Sequence, residues 1–190
     1  MKAKKILLII GIVIIIAVLA MAVFMSFFIF DLWSMTAGGS ETLNPAGNVT
    51  GHALVVYNPG ILGGAKGAAD QIAGDLKADG YVVTLAGVKS AAAANVSGYD
   101  VIVVGGPIYA GKQSSSIQSY MKSLIVPGNV KLGMFATGQD KDILNDPVAL
   151  KKEVTSLPDD STLRVKVVVK VVSNDDKDAM CMAFVNELLK

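Results

Sequence analysis

The residue types that could do chemistry are few, and they gather in three short stretches. Gly105-Gly106-Pro107-Ile108-Tyr109-Ala110-Gly111 combines glycines, which leave backbone groups open, with Tyr109, whose ring can stack on a planar ligand. Asn58-Pro59-Gly60-Ile61-Leu62-Gly63-Gly64 is glycine-rich and leads into a helical pattern. Free amides and the helix dipole at such a start favour an anion such as a phosphate, and Lys66 adds a positive charge. Thr137-Gly138-Gln139-Asp140 is the third stretch. Together these are the parts for holding a phosphorylated planar ligand. Each also has a plain structural reading: a tight turn at Gly105-Gly106-Pro107, a packed rim tyrosine, a solvated lysine, a threonine that caps a turn.

Little else is suited to catalysis. The single cysteine, Cys181, excludes an intrachain disulfide and any multi-cysteine metal site, and a single His52 is too little for a zinc centre. Cys181 sits among Met180, Met182 and Phe184, where a small buried hydrophobe is the default. Asp175, Asp176 and Asp178 crowd a helix start, where negative charge suits the dipole. No Ser/His/Asp or Cys/His set assembles, so hydrolase chemistry has no support.

The elements that must position the three stretches alternate between strand and helix patterns. Apolar strands are expected at 53–57, 81–85, 101–105, 130–136 and 164–172, the third a β-branched run typical of a strand covered on both faces. Lys166 and Lys170 suggest that the last strand is an edge. Helices are expected at about 66–78, 114–124, 147–156 and 175–189, with a short turn or helix at 91–95. Ala69, Ile72, Ala73 and Leu76 form one apolar face of the first, and Ser114 is a candidate N-cap for the second. The pattern predicts an α/β domain with a doubly wound, five-stranded parallel sheet of order 2-1-3-4-5. In that order the first, third and fourth strands are neighbours, and the loops after them meet at the switch point of the sheet.

Before this domain, residues 6–30 are apolar except for Gly11 and Ser26. At 1.5 Å per residue they reach about 37 Å, enough to cross a hydrocarbon core of about 30 Å. The run is longer than the apolar part of a plain cleaved signal, although cleavage near Ser34-Met35-Thr36-Ala37 stays open. Lys2, Lys4 and Lys5 precede it, and no Lys or Arg follows until Lys66, so the expected topology is N-terminus in the cytoplasm and domain outside. Trp33 suits an interfacial anchor. The expected organisation is a basic N-terminus (1–5), a transmembrane helix contacting the lipid bilayer (6–30), a flexible linker (31–51) and the α/β domain (52–190). As a coil, residues 34–51 would span roughly 23 Å. Asn48-Val49-Thr50 and Asn95-Val96-Ser97 are glycosylation sequons that matter only in a glycosylating host. The chain has 17 basic and 16 acidic residues; the segment beyond the apolar run has 14 and 16, a net charge of −2. A nucleic-acid partner is therefore not expected.

Three matches give the domain its resemblance to the flavodoxin family: Leu54-Val55-Val56-Tyr57 before a loop and helix, Tyr99-Asp100 through Gly111, and Phe135-Ala136-Thr137-Gly138. The middle match is most similar to the branch of menaquinone-dependent protoporphyrinogen dehydrogenases and quinone-linked flavodoxin-like reductases. The resemblance implies a non-covalent FMN. Its phosphate would lie in the first loop, at Asn58, Pro59, Gly60, Leu62, Gly63 and Gly64 with Lys66 nearby. Its ring would lie between Pro107, Ile108, Tyr109, Ala110 and Gly111 on one side and Thr137, Gly138 and Gln139 on the other. It also implies one- or two-electron transfer, in some members to quinones; the short tether to the membrane makes a membrane quinone or redox protein the expected partner. A response-regulator receiver, which shares the fold class, is excluded because Gly105-Gly106 stand where its phosphoacceptor Asp would be.

The chain departs from the family at the phosphate. Pro59, Ile61 and Gly64 occupy the positions of the family's Ser and Thr hydroxyls. Each lost hydrogen bond to a charged phosphate costs about 1.5–3 kcal/mol. Two expectations follow: an FMN-binding electron-transfer domain, or a flavin-free module of the same fold that binds a protein or other ligand at the membrane surface.

Overall fold

A computed structural model describes residues 2–32, 37–139, 145–158, 160–172 and 176–190. The Trp33 anchor, residues 34–36 of the candidate cleavage site, Asp140 of the third loop and Asp175 lie outside the described residues.

The apolar run forms one helix, α1 (Lys2–Leu32), long and apolar enough to cross a membrane, and its span Lys5–Ser26 is wholly unburied by the rest of the chain. The domain is built on strands β1 (Ser40–Leu43), β2 (Gly51–Tyr57), β3 (Tyr81–Gly87), β4 (Val101–Tyr109), β5 (Lys112–Gln113), β6 (Lys131–Gly138) and β7 (Val165–Val172). Its helices are α2 (Gly64–Ala78), α3 (Ala91–Ala94), α4 (Ser115–Ser123), α5 (Pro147–Thr155) and α6 (Lys177–Leu189). The sheet order is β1-β3-β2-β4-β6-β7, with β5 paired to β4. The pairs among β3, β2, β4, β6 and β7 are all parallel, so the five expected strands take the order 2-1-3-4-5.

Alternation along the strands explains why both faces are covered. Ala53, Val55, Val101 and Val103 point to a core closed by α2 and α6, while Leu54, Val56, Ile102 and Val104 point to a second core under α3, α4 and α5. All eight are fully buried. At about 1.5–3 kcal/mol for each large apolar side chain removed from water, this two-sided burial is the main force holding the sheet. The buried face of α2 contains the expected Ala69, Ile72, Ala73 and Leu76, and adds Ala65 and Ala68.

Three details correct the reading of the sequence. The expected linker over 31–51 contains β1, which pairs antiparallel with β3, and the carbonyls of Ala37 and Gly39 accept from Lys89 and Gly87. The sheet therefore has an added antiparallel edge, and ordered structure begins at least by Ala37. Ser40-Glu41-Thr42-Leu43 carries no apolar alternation: its backbone satisfies the open edge of β3, and of its side chains Leu43 packs against the core. Second, β4 does not end at Gly105 but runs to Tyr109 and turns back into β5. Gly105 permits this because a Cβ there would collide with the carbonyl and ring of Phe135 on β6. Third, Ser114 takes the N-cap position of α4 as expected, but its hydroxyl makes no capping hydrogen bond. It accepts a hydrogen bond from Asn58 instead.

Lys166 and Lys170 lie on β7, which is a sheet edge as expected, but they differ in kind. Lys166 is exposed and donates to the Leu188 carbonyl. Lys170 is 1% exposed and pairs with Glu153 of α5 at 2.9 Å.

Candidate functional site

The three loops leave the carboxyl ends of β2, β4 and β6, which are adjacent in the sheet. They bound a cleft of about 320 Å³ lined by Pro59, Gly60, Ile61, Leu62 and Gly64, by Ala65, by Pro107, Ile108 and Tyr109, and by Thr137, Gly138 and Gln139; Phe24 of α1 borders it. Ala65, Ile61 and Phe24 are not among the site residues expected from the sequence, because their purely apolar side chains carry no chemical signal.

The first loop is held from below. Asn58 is fully buried and its amide nitrogen donates to the hydroxyls of Ser114 and Ser116, at 3.2 and 2.7 Å. Its Oδ1 accepts from the Gly60 amide at 2.9 Å, and its own amide donates to the Gly105 carbonyl. Asn58 thus organises the loop with every side-chain polar atom used inside the protein. Gly60 has φ +72°, and a Cβ there would lie 3.2 Å from the Pro107 ring, so the first loop rests directly on the second. The Ile61 amide donates to the Tyr109 hydroxyl at 3.4 Å, and the Gly63 amide to the Gly60 carbonyl at 3.2 Å.

The start of α2 is more open. Its N-cap is Gly63, with φ +72° and no side chain to cap the helix. The amides of Gly64, Ala65 and Lys66 in the first turn have no partner within the helix by its geometry, and they face the end where the dipole is positive. Lys66 is committed elsewhere. Its ammonium lies 2.8 Å from Asp70, with both side chains nearly half exposed. That hydrogen bond raises the Lys66 pKa, and the charge is matched by Asp70 rather than left for a ligand. Burial raises the pKa of Tyr57, whose ring centre is 6.0 Å from the same ammonium. Leu62 is 92% exposed at the cleft edge.

The second and third loops supply a flatter wall. Ala110 and Gly111 form a two-residue turn with φ of 49° and 74°, so both central residues are left-handed, as the twist of a tight hairpin requires. Ala110 does not line the cleft, and Gly111 faces a separate one beyond the hairpin. Under the third loop lies Lys170: a Cβ on Gly138 would come within 3.1 Å of its Cε. The structure therefore gathers Pro59, Gly60, Leu62, Gly64, Pro107, Ile108, Tyr109, Thr137, Gly138 and Gln139 around one cleft. It sets Gly63 at the helix cap, and it turns Asn58, Lys66, Ala110 and Gly111 to other tasks.

A flavin fits this arrangement unequally. The ring end has glycine backbone, Tyr109 and Thr137 around an open cleft. The phosphate end has the first-turn amides of α2, but Pro59 has no amide to donate and those of Gly60, Ile61 and Gly63 are already bonded.

No family model matches the chain, and no curated protein matches it in sequence. Solved structures do resemble it. The oxidised flavodoxin 2 of Bacillus cereus superposes with a TM-score of 0.51 at 17% identity, covering 73% of this chain and 97% of that one. A flavodoxin of Streptococcus pneumoniae superposes with a TM-score of 0.52 at 16% identity, again covering 73% and 97%. With the sheet order and the three-loop rim already in place, these likenesses show that the domain has the flavodoxin-like fold.

Proposed function

We propose that this chain is a membrane-anchored electron-transfer domain that binds FMN at the three-loop rim. The observation that carries the reading is the uncapped N-terminus of α2 opening beside the cleft where the loops after β2, β4 and β6 converge. The amides of Gly64, Ala65 and Lys66 would hold the phosphate. Tyr109 and the backbone of Pro107, Thr137 and Gly138 would flank the ring. Bound flavin supplies one- or two-electron transfer. The protein's part is to fix the ring at the exposed rim, where a partner can approach, and Asn58 holds the first loop in place for this. α1 would keep the domain at the bilayer, with Lys2, Lys4 and Lys5 retaining the N-terminus in the cytoplasm. A quinone or a membrane redox protein is the partner suited to that placement.

The absence of hydroxyls at Pro59, Ile61 and Gly64 makes FMN affinity weak and lessens the advantage of FMN over riboflavin. Fluorescence titration of the full chain in detergent micelles tests this. FMN should be quenched with a dissociation constant on the order of micromolar, and riboflavin should bind about tenfold more weakly. Absence of quenching at high micromolar FMN would sink the proposal.

A second reading is favoured by the bonded state of the first loop. Hydrogen bonds from Gly60 and Gly63 close that loop on itself and one from Ile61 ties it to Tyr109, as expected of a flavin-free module whose fold serves a protein or other ligand at the membrane surface. The same titration separates the two.

A further inference from the structure

On the far side of the β4–β5 hairpin lies a larger cleft of about 620 Å³, walled by the hairpin tip, α4 and the C-terminal end of α5. Its size is in the range of small-molecule sites. Lys112 from the hairpin, Lys122 from α4 and Lys152 from α5 line it together. Among the described residues none of the three ammonium groups has a hydrogen bond or an ion pair. Among the described residues the only acid in the wall is Glu153, and its charge is matched by the buried Lys170 at 2.9 Å. The cleft is thus a concentration of positive charge on a segment whose net charge is −2.

Helix ends account for part of this. Lys122 and Lys152 stand in the last turns of α4 and α5, where a cation complements the dipole. That does not account for Lys112, which comes from another element and lines the same space. The neutral polar groups are already used: Gln118 donates to the Gln113 carbonyl, and the Ser156 hydroxyl accepts from the Gln113 amide and donates to the Glu153 carbonyl. What the cleft offers a ligand is therefore three cations and the apolar surface of Leu157 and Pro158.

We infer that this cleft is a binding site for a small organic anion that carries at least two negative charges and an apolar portion. The lysines at its rim recognise the anionic group, and Leu157 and Pro158 take the apolar part. The site is separate from the three-loop rim and does not depend on a flavin.

Phenyl phosphate, a dianion with one apolar ring, is the probe. Its binding to the full chain in non-ionic micelles is read by titration calorimetry, with inorganic phosphate for comparison. Phenyl phosphate should bind more tightly than inorganic phosphate, and more weakly as salt is raised. Lys122→Ala/Lys152→Ala should weaken it about tenfold, since two exposed ion pairs are removed. Lys122→Arg/Lys152→Arg should retain it. Lys89→Ala/Lys151→Ala, which removes the same charge outside the cleft, should leave it unchanged. Continued protection of Cys181 from alkylation confirms that each variant is folded. The inference is overturned by lack of binding at about 10 mM probe, by unchanged affinity in the cleft variant, or by equal loss in the outside variant. Equal affinities for phenyl phosphate and inorganic phosphate would overturn the apolar half of the site.

Discussion

The Lys170–Glu153 pair offers a direct measure of how dry the interior is beneath the third loop. Lys170 is 1% exposed, and its ammonium lies 3.2 and 2.9 Å from the two Glu153 oxygens. Glu153→Gln keeps the shape and one acceptor but leaves the ammonium without a counter-charge. Removing one member of a buried pair costs about 3–5 kcal/mol. The loss at pH 7 should therefore be about 3 kcal/mol. Lys170→Met/Glu153→Gln removes the stranded charge and should recover most of the loss. Cys181 is a suitable reporter: it is the chain's one cysteine, fully buried, and burial pushes its thiol up to about 12, so alkylation follows unfolding of the domain. Pulsed alkylation across a urea series gives the stability of each variant without interference from α1. A Glu153→Gln cost below about 1 kcal/mol at pH 7 would refute a desolvated pair.

Gly105→Ala places a Cβ against the Phe135 carbonyl and ring, backbone that cannot swing away, and should destabilise the domain by at least about 1–3 kcal/mol in the same alkylation assay. Ala110→Asn suits the left-handed conformation of the hairpin turn and should raise the urea midpoint by an amount equivalent to less than about 1 kcal/mol. Burial raises the pKa of Asp75, whose Oδ2 has no partner. The folded state therefore holds that proton to higher pH than the unfolded chain. Wild-type stability includes a contribution that grows as pH falls toward 3.8, and Asp75→Asn should abolish it while stabilising the domain at pH 7. That gain should stay below about 1 kcal/mol because the carboxylate is still partly solvated; thermal unfolding at pH 5 and pH 7 reads both effects.

The sequence by itself determined the parts of this protein that rest on local pattern. The β-branched run Val101–Val104 is a strand buried on both faces because every one of its side chains needs cover, whichever way it points. The spacing of Ala69, Ile72, Ala73 and Leu76 set the buried face of α2, and the apolar length of residues 6–30 set a single long helix. Loops at the ends of neighbouring parallel strands must meet at one rim, so the three-loop cleft was legible as well. What only the tertiary structure decided are pairings between distant residues that no local period records. Ser40–Leu43 became a strand because the edge of β3 had backbone groups to satisfy, not because its side chains asked for it. Lys170 reads as a solvent-facing edge lysine until Glu153, 17 residues earlier on α5, is brought against it. Asn58 reads as a ligand residue until Ser114 and Ser116 arrive beneath it and take its amide. The same holds for Lys112, Lys122 and Lys152, each an ordinary surface lysine in the sequence and one wall each of a single cationic cleft in the fold. Polar groups reveal their role only through their partners, and partners are chosen by the fold.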